Sequence, residues 1–199
     1  MEKQRRRAGR PSRTSLAELV EAATALGLKD FTLGGVAARA GIAEATVYNY
    51  ISGRDDLYRK ACDRLIGTLS LESDATTWVD FIDDVSARAV DLAAAHPGLA
   101  PYLFYGPYEP EAVRVYTAMV DRVRELRPGT TPNQAYLLAS RPFLGSLYFA
   151  AAPKFARADG WLRRAMMHGM ERRLAAGDLP DIDPALEGDW TTLLRTPEQ

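Results

Sequence analysis

Residues 31–54, FTLGGVAARAGIAEATVYNYISGR, decide the fold, because they contain two short helical segments separated by a glycine. Apolar side chains recur in the first segment at the spacing of one helix face: Leu33, Val36, Ala37 and Ala40. Thr32 is placed to cap this helix, and Gly41 is able to adopt a positive φ at the corner. The second segment, about residues 44–51, turns Val47 and Ile51 inward. The pattern predicts a helix-turn-helix motif.

The second helix of this motif leaves one set of side chains facing outward: Glu44, Ala45, Thr46, Tyr48, Asn49 and Tyr50. In a helix-turn-helix, the second helix enters the major groove, and its N-terminal half meets base edges and phosphates. These residues therefore predict a DNA-binding surface. Glu44 is acidic, and two roles are open for it: it accepts a hydrogen bond from a cytosine amino group, or it stabilises the helix N-terminus.

Residues 41–51, Gly-Ile-Ala-Glu-Ala-Thr-Val-Tyr-Asn-Tyr-Ile, resemble the motif of the TetR (tetracycline-repressor-like) family of transcriptional regulators, which commonly reads Gly-Val-Ser-x-x-Thr-Leu-Tyr-x-His-Phe. The resemblance implies that Thr46 and Tyr48 contact phosphates or base edges. It also implies that Tyr50 replaces the phosphate-binding His, and that Arg54 makes the phosphate contact usually made by Lys. Thr32 is expected to add another phosphate contact.

The first motif helix departs from the family pattern at Gly34 and Gly35, where the family often has a charged pair. Each glycine weakens a helix by roughly 1 kcal/mol relative to alanine. A DNA contact from position 34 is therefore not expected.

Residues 1–13, MEKQRRRAGRPSR, form a basic arm directly before the motif. The segment Gly9-Arg10-Pro11 resembles the core of an AT-hook, in which an extended arginine enters a narrow minor groove. A solvated basic tail is the alternative. The position of the arm favours DNA contact, because arms beside such motifs reach the neighbouring groove. Four arginines are the candidates: Arg5, Arg6, Arg7 and Arg10.

Charge is distributed unevenly along the 199 residues, although the net charge is only −1. Residues 1–60 contain 11 Lys and Arg against 7 Asp and Glu, so the basic part is the part with the motif. No apolar run approaches the roughly 18 residues of a membrane helix, and no membrane association is expected. The single cysteine, Cys62, excludes an intramolecular disulfide and is expected to be a core residue. A cytoplasmic protein is the expectation.

No enzyme signature is present in the sequence. It lacks a phosphate-binding glycine loop, an HExxH motif and paired cysteines, and its two histidines lie far from the cysteine. No catalytic residue, metal site or cofactor is therefore expected. A helical ligand-binding or carrier protein without operator-specific function is the alternative of another class, and the motif and the basic arm argue against it.

The whole chain is predicted to be all-α. Helical patterns continue after the motif, at about residues 55–70, 77–96, 111–127, 132–151 and 160–176. Three parts are predicted. Residues 1–13 form the basic arm. Residues 14–54 form a three-helix DNA-binding domain, whose first helix begins with a capping box of Ser15 and Glu18. Residues 55–199 form a C-terminal ligand-binding and dimerisation domain.

Aromatic residues are concentrated in the C-terminal part, where the resemblance places a ligand pocket. The candidates for pocket lining, each of which is otherwise a core residue, are Phe81, Tyr102, Phe104, Tyr105, Tyr116 and Tyr136. Arg141 lies on a mainly apolar helix and needs a partner if it is buried. That partner is either an anionic effector or an acidic residue across a dimer.

The resemblance further implies a homodimer, in which the last two long helices pair with their twofold mates. The last helix carries Trp161, Met166 and Met170 among its apolar residues. Two motif helices would enter successive major grooves of a roughly palindromic operator in double-stranded DNA. A small-molecule effector would favour a state in which these helices are misspaced, so that the protein leaves its operator. Repression is the family's usual outcome.

Overall fold

A computed structural model describes residues 14–151, 159–179 and 190–194. Within these ranges the chain is all-α, as predicted, and contains no strand. Its elements are nine α-helices and a terminal 3-10 turn: α1 (Leu16–Leu26), α2 (Leu33–Ala40), α3 (Glu44–Val47), α4 (Arg54–Ile66), α5 (Trp78–Ala95), α6 (Leu99–Tyr105), α7 (Pro110–Leu126), α8 (Pro132–Ala151), α9 (Asp159–Ala175) and the 3-10 turn Trp190–Leu194.

The predicted capping box starts α1. The backbone N–H of Glu18 donates to Ser15 Oγ at 3.3 Å, and the N–H of Ser15 donates to Glu18 Oε2 at 2.7 Å. The Thr14 hydroxyl also donates to this carboxylate, at 2.9 Å. These hydrogen bonds, that from Thr14 first, lower the pKa of Glu18 because they stabilise its charged form. They fix the direction in which α1 leaves the chain that precedes it.

The helix-turn-helix forms as predicted, with a shorter second helix. Thr32 caps α2, and Gly41 ends it in the left-handed conformation, at φ 68° and ψ 32°. The second helix was expected over residues 44–51, but α3 ends at Val47. The backbone then tightens, because Asn49 N–H donates to Thr46 C=O at 3.1 Å in an i→i−3 bond. Val47 and Ile51 are both buried, at 0% and 4% exposure.

Helix α4 connects the motif to the rest of the molecule. It packs against α1, α6 and α7. It ends at Ile66 rather than near residue 70, because both the N–H and the hydroxyl of Thr68 donate to the Leu65 carbonyl, at 2.9 and 2.6 Å. Cys62 is fully buried on this helix, and burial raises the pKa of its thiol to about 12. Its core position was expected.

The larger helices form the second half of the core. Helix α8 packs against α5, α7 and α9, and α5 also packs against α9. The side chain of Thr77 caps α5 by accepting from Asp80 N–H at 3.2 Å. Pro142 lies inside α8 without ending it. No helix in the described ranges is both long and apolar enough to cross a membrane.

Candidate functional site

The surface of α3 and the following turn is open to solvent. Glu44, Ala45, Tyr48 and Asn49 are exposed, and Thr46 is half-buried. Tyr48 is 54% exposed, although it is a large aromatic residue. Because Val47 and Ile51 anchor this segment from below, the exposed side chains stand on a rigid base. Such a surface is suited to contact base edges in a groove.

The two glycines of α2 lie close to polar side chains. A Cβ atom on Gly34 would lie 3.0 Å from Glu44 Oε2, so the Glu44 carboxyl group lies near the start of α2. A Cβ on Gly35 would lie 3.2 Å from the Thr32 hydroxyl oxygen that caps this helix. Both roles of Glu44, contact with a cytosine and stabilisation of a helix N-terminus, stay predictions.

Tyr50 connects the motif to the start of α1. Its hydroxyl donates to the Thr14 carbonyl at 2.9 Å, and Thr14 is only 6% exposed. A phosphate contact by this hydroxyl would have to replace that hydrogen bond, because phosphate oxygens accept hydrogen bonds and the hydroxyl has one proton. In this structure Tyr50 therefore ties the end of the motif to Thr14, just before α1.

Arg54 is held in place by the loop between α1 and α2. Its Nε donates to the Phe31 carbonyl at 3.1 Å, and its Nη2 donates to the Lys29 carbonyl at 2.9 Å. The guanidinium also lies 4.5 Å from the centroid of the Phe31 ring, a cation–π contact. Nη1 has no partner among the described residues. The predicted phosphate contact would therefore come from a guanidinium whose position is already fixed.

The four arginines of the predicted arm, Arg5, Arg6, Arg7 and Arg10, lie outside the described residues. Their contact with DNA stays a prediction.

Most of the aromatic residues predicted to line a ligand pocket pack against other side chains. Phe81, Tyr102 and Tyr116 are at most 2% exposed. The ring of Tyr116 makes edge-to-face contacts with Tyr108 and Phe143, with centroids 5.6 and 5.8 Å apart. These rings fill the interior in this structure.

The other candidates lie nearer the surface. Tyr136, 9% exposed, stacks on Trp190 with ring centroids 5.1 Å apart, and Phe104 is half-buried. Tyr105 is 84% exposed at the end of α6, just before the turn at Gly106. Arg141 is exposed on α8 in the single chain, where a partner subunit or an effector would be able to reach it. The roles of both residues at a ligand site stay predictions.

Asp63 is a buried polar residue that connects α4 to α6 and α7, and sequence reasoning missed it. It lies on α4, is 8% exposed, and accepts from the backbone N–H groups of Glu111 and Ala112 at 3.1 and 2.7 Å. It therefore caps α7 from another helix. The Tyr102 hydroxyl donates to it at 3.2 Å. Burial first, and then the Asp63 charge among further causes, raise the pKa of Tyr102.

Exposed side chains form a stripe on each of the last two helices. On α8, Arg141 and Tyr148 are exposed. On α9, Trp161, Ala165 and His168 recur at intervals of four and three residues and are all exposed. Trp161 is 72% exposed and Tyr148 is 59% exposed, so a large aromatic side chain faces outward on each helix.

Comparison with solved structures gives the same fold. A TetR variant from Acinetobacter baumannii AYE in complex with minocycline matches with a TM-score of 0.58 at 16% identity, over 79% of this chain and 94% of that chain. A transcriptional regulator from Streptomyces coelicolor A3(2) matches with a TM-score of 0.57 at 18% identity, over 83% and 99%. The Streptomyces coelicolor TetR family protein ActR, in complex with (S)-DNPA, gives 0.54 at 14%, over 83% and 97%.

No family model and no curated protein matches the sequence. The structural matches nevertheless confirm the resemblance at the level of the fold: the chain has the all-helical fold of TetR-family regulators, which carry an N-terminal DNA-binding domain.

Proposed function

We propose that this chain is a ligand-responsive, sequence-specific DNA-binding transcriptional regulator. It acts in the cytoplasm as a homodimer on a palindromic operator, and it is a repressor that a small molecule releases. The observation that carries the proposal is the exposed surface of α3, in a motif whose following helix begins with Arg54, fixed by the loop before α2. Candidate base-reading groups and a candidate phosphate donor thus belong to the same motif.

The C-terminal helices supply the regulatory part of the proposal. Two of the matched proteins were solved with small molecules, minocycline and (S)-DNPA. A ligand acts on DNA binding only if it binds the operator-competent state and the released state unequally. Helix α4 is the physical connection, because it contacts α1 and also packs on α6 and α7.

The direct test is a fluorescence-anisotropy titration of the purified protein against DNA that flanks its own coding region, with random DNA as the control. We expect the affinity for the flanking DNA to exceed that for random DNA and to fall as the salt concentration rises, because phosphate contacts release counterions. Equal binding to both DNAs across the flanking region would favour the carrier alternative.

Tyr48→Ala is expected to weaken operator binding about tenfold or more, since one lost base or phosphate contact has an effect of about 1–3 kcal/mol. The same titration measures it. The matched control is Tyr105→Ala, because Tyr105 is also an exposed tyrosine but lies on α6, far along the chain from the motif. If the two variants bound the operator equally well, α3 would not be the reading element.

Trp161→Arg is expected to weaken the homodimer about tenfold or more, because it places a charge where an apolar side chain would be buried between two α9 helices. Sedimentation velocity over a range of protein concentrations measures the monomer–dimer equilibrium. Tyr105→Arg serves as the control, because it changes an equally exposed aromatic residue on α6. An unchanged dimer in Trp161→Arg would remove α9 from the interface.

A further inference from the structure

A cavity of about 820 Å³ lies along the junction of α1 and α4, outside the aromatic region in which a ligand pocket was expected. We call it the α1–α4 cavity. Its walls come from α1, from α4, from the end of α5 and from the start of α7. The lining residues that the argument uses are Leu16, Ala17, Val20, Lys60, Arg64 and Leu65.

The floor of the α1–α4 cavity is apolar. Val20 and Leu65 are both 8% exposed, and Leu16 is 37% exposed although it is a leucine. Together they offer a surface from two helices on which an aliphatic or aromatic body would bury apolar area. A volume of this size falls in the range of small-molecule sites.

Several charged groups at the rim already have partners. Lys60 pairs with Asp56 at 3.0 Å, and Glu111 pairs with Arg114 at 2.8 Å. The carboxylate of Asp63 accepts from the N-terminus of α7. These groups are therefore poor candidates for holding the head of a ligand.

Arg64, unlike these charged groups, has no ion-pair partner in the part of the chain that the structure describes. It is exposed on α4, and no carboxylate of the described chain lies within ion-pair distance of it. A guanidinium binds a carboxylate or sulfonate through parallel hydrogen bonds. Glu21, the unpaired acid of the rim, lies on α1. An anionic head would therefore lie on the α4 side of the cavity.

We propose that the α1–α4 cavity binds an amphipathic organic anion, with its apolar body on Leu16, Val20 and Leu65 and its carboxylate or sulfonate on Arg64. The occupant contacts both α1 and α4, so it fixes the position of the motif helices relative to the larger helices. Only this regulatory consequence rests on the proposed function, because binding itself requires no DNA.

The test uses two fluorescent probes with the same apolar body: anilinonaphthalenesulfonate, which carries a sulfonate, and N-phenylnaphthylamine, which carries no charge. Fluorescence titration of the full chain gives the affinity and the number of sites for each probe. Ala17→Trp fills the cavity from an exposed position, and Ala25→Trp does so from a second one if the first variant folds poorly. Arg64→Glu removes the cation.

Two control variants change the same residue types elsewhere. Ala94→Trp adds a tryptophan at an exposed alanine of α5, and Arg124→Glu reverses an exposed arginine of α7 that has no partner among the described residues. Neither residue lines the α1–α4 cavity. The melting temperature of every variant is measured first.

We expect one site per chain for both probes, weakened about tenfold by the cavity-filling tryptophan. Arg64→Glu should weaken the sulfonate probe about tenfold and leave the neutral probe within about twofold, because only the former meets the guanidinium. The controls should bind like the parent chain. Unchanged binding in the filled variants would show that the probes do not bind in the α1–α4 cavity. Equal effects of Arg64→Glu on both probes would overturn the assignment of Arg64 as the partner of an anionic group. A separate operator titration in the presence of the sulfonate probe tests whether an occupant of the cavity changes DNA binding.

Discussion

Asp63→Ala is expected to lower the free energy of unfolding by about 3–4 kcal/mol, because it leaves two N–H groups at the start of α7 and the Tyr102 hydroxyl without their shared acceptor. Hydrogen bonds to a charged acceptor are stronger than neutral ones, and the group is buried. Urea denaturation followed by circular dichroism measures the change.

The matched control for Asp63→Ala is Asp91→Ala, since Asp91 is an exposed aspartate on α5. Its replacement should change the stability by less than about 0.5 kcal/mol. Asp63→Asn separates charge from shape, because the amide keeps one oxygen acceptor but turns a donor toward groups that donate. The loss of stability in Asp63→Asn should lie between those of Asp63→Ala and Asp91→Ala. A loss below about 1 kcal/mol in Asp63→Ala would mean that α7 finds another cap.

Asp83→Ala is expected to lower the free energy of unfolding by about 3 kcal/mol, because it removes a carboxylate that accepts from a buried arginine and also pairs with a second arginine. Arg163 is 5% exposed, and its Nε donates to Asp83 Oδ1 at 2.6 Å, while its Nη1 donates to Ser146 Oγ at 3.1 Å. Arg164 also pairs with Asp83 through Nη2. The same denaturation experiment reports the effect.

The double variant Asp83→Ala with Arg163→Met should recover most of the lost stability, because it removes both buried charges and replaces the arginine by an apolar chain of similar length. The control is Asp178→Ala, which breaks an ion pair with Arg173 that is exposed on both sides and should cost about 1 kcal/mol or less. If the double variant were as unstable as Asp83→Ala alone, the loss of stability would come from lost packing rather than from the charge of Arg163.

Local signals in the sequence predicted the helices and the motif well. The capping box of Ser15 and Glu18 and the left-handed Gly41 were expected and confirmed. Helix α8 has the predicted bounds, residues 132–151. All of these features depend on residues within about four positions of each other, and such short-range chemistry can be read without a tertiary structure.

The residues of the candidate ligand site stay a prediction. Aromatic composition pointed to six rings and Arg141, but it could not distinguish a ring that lines a cavity from one that fills the core. Tyr116 and Tyr105 have the same side chain, yet one is 2% and the other 84% exposed. The difference lies in the packing of α6, α7 and α8, which no local pattern specifies.

By itself, the sequence determined the all-α class, the helix-turn-helix and the exposed residues of its second helix, because helical periodicity, caps and a turn glycine act over a few residues. Only the tertiary structure decided that Asp63 caps α7, that Asp83 pairs with the buried Arg163 and that α1 and α4 line an open cavity. The bonded partners of these two acids lie up to 80 residues away along the chain. Contacts between such distant residues exist only after the helices have packed, so their chemistry is a property of the fold.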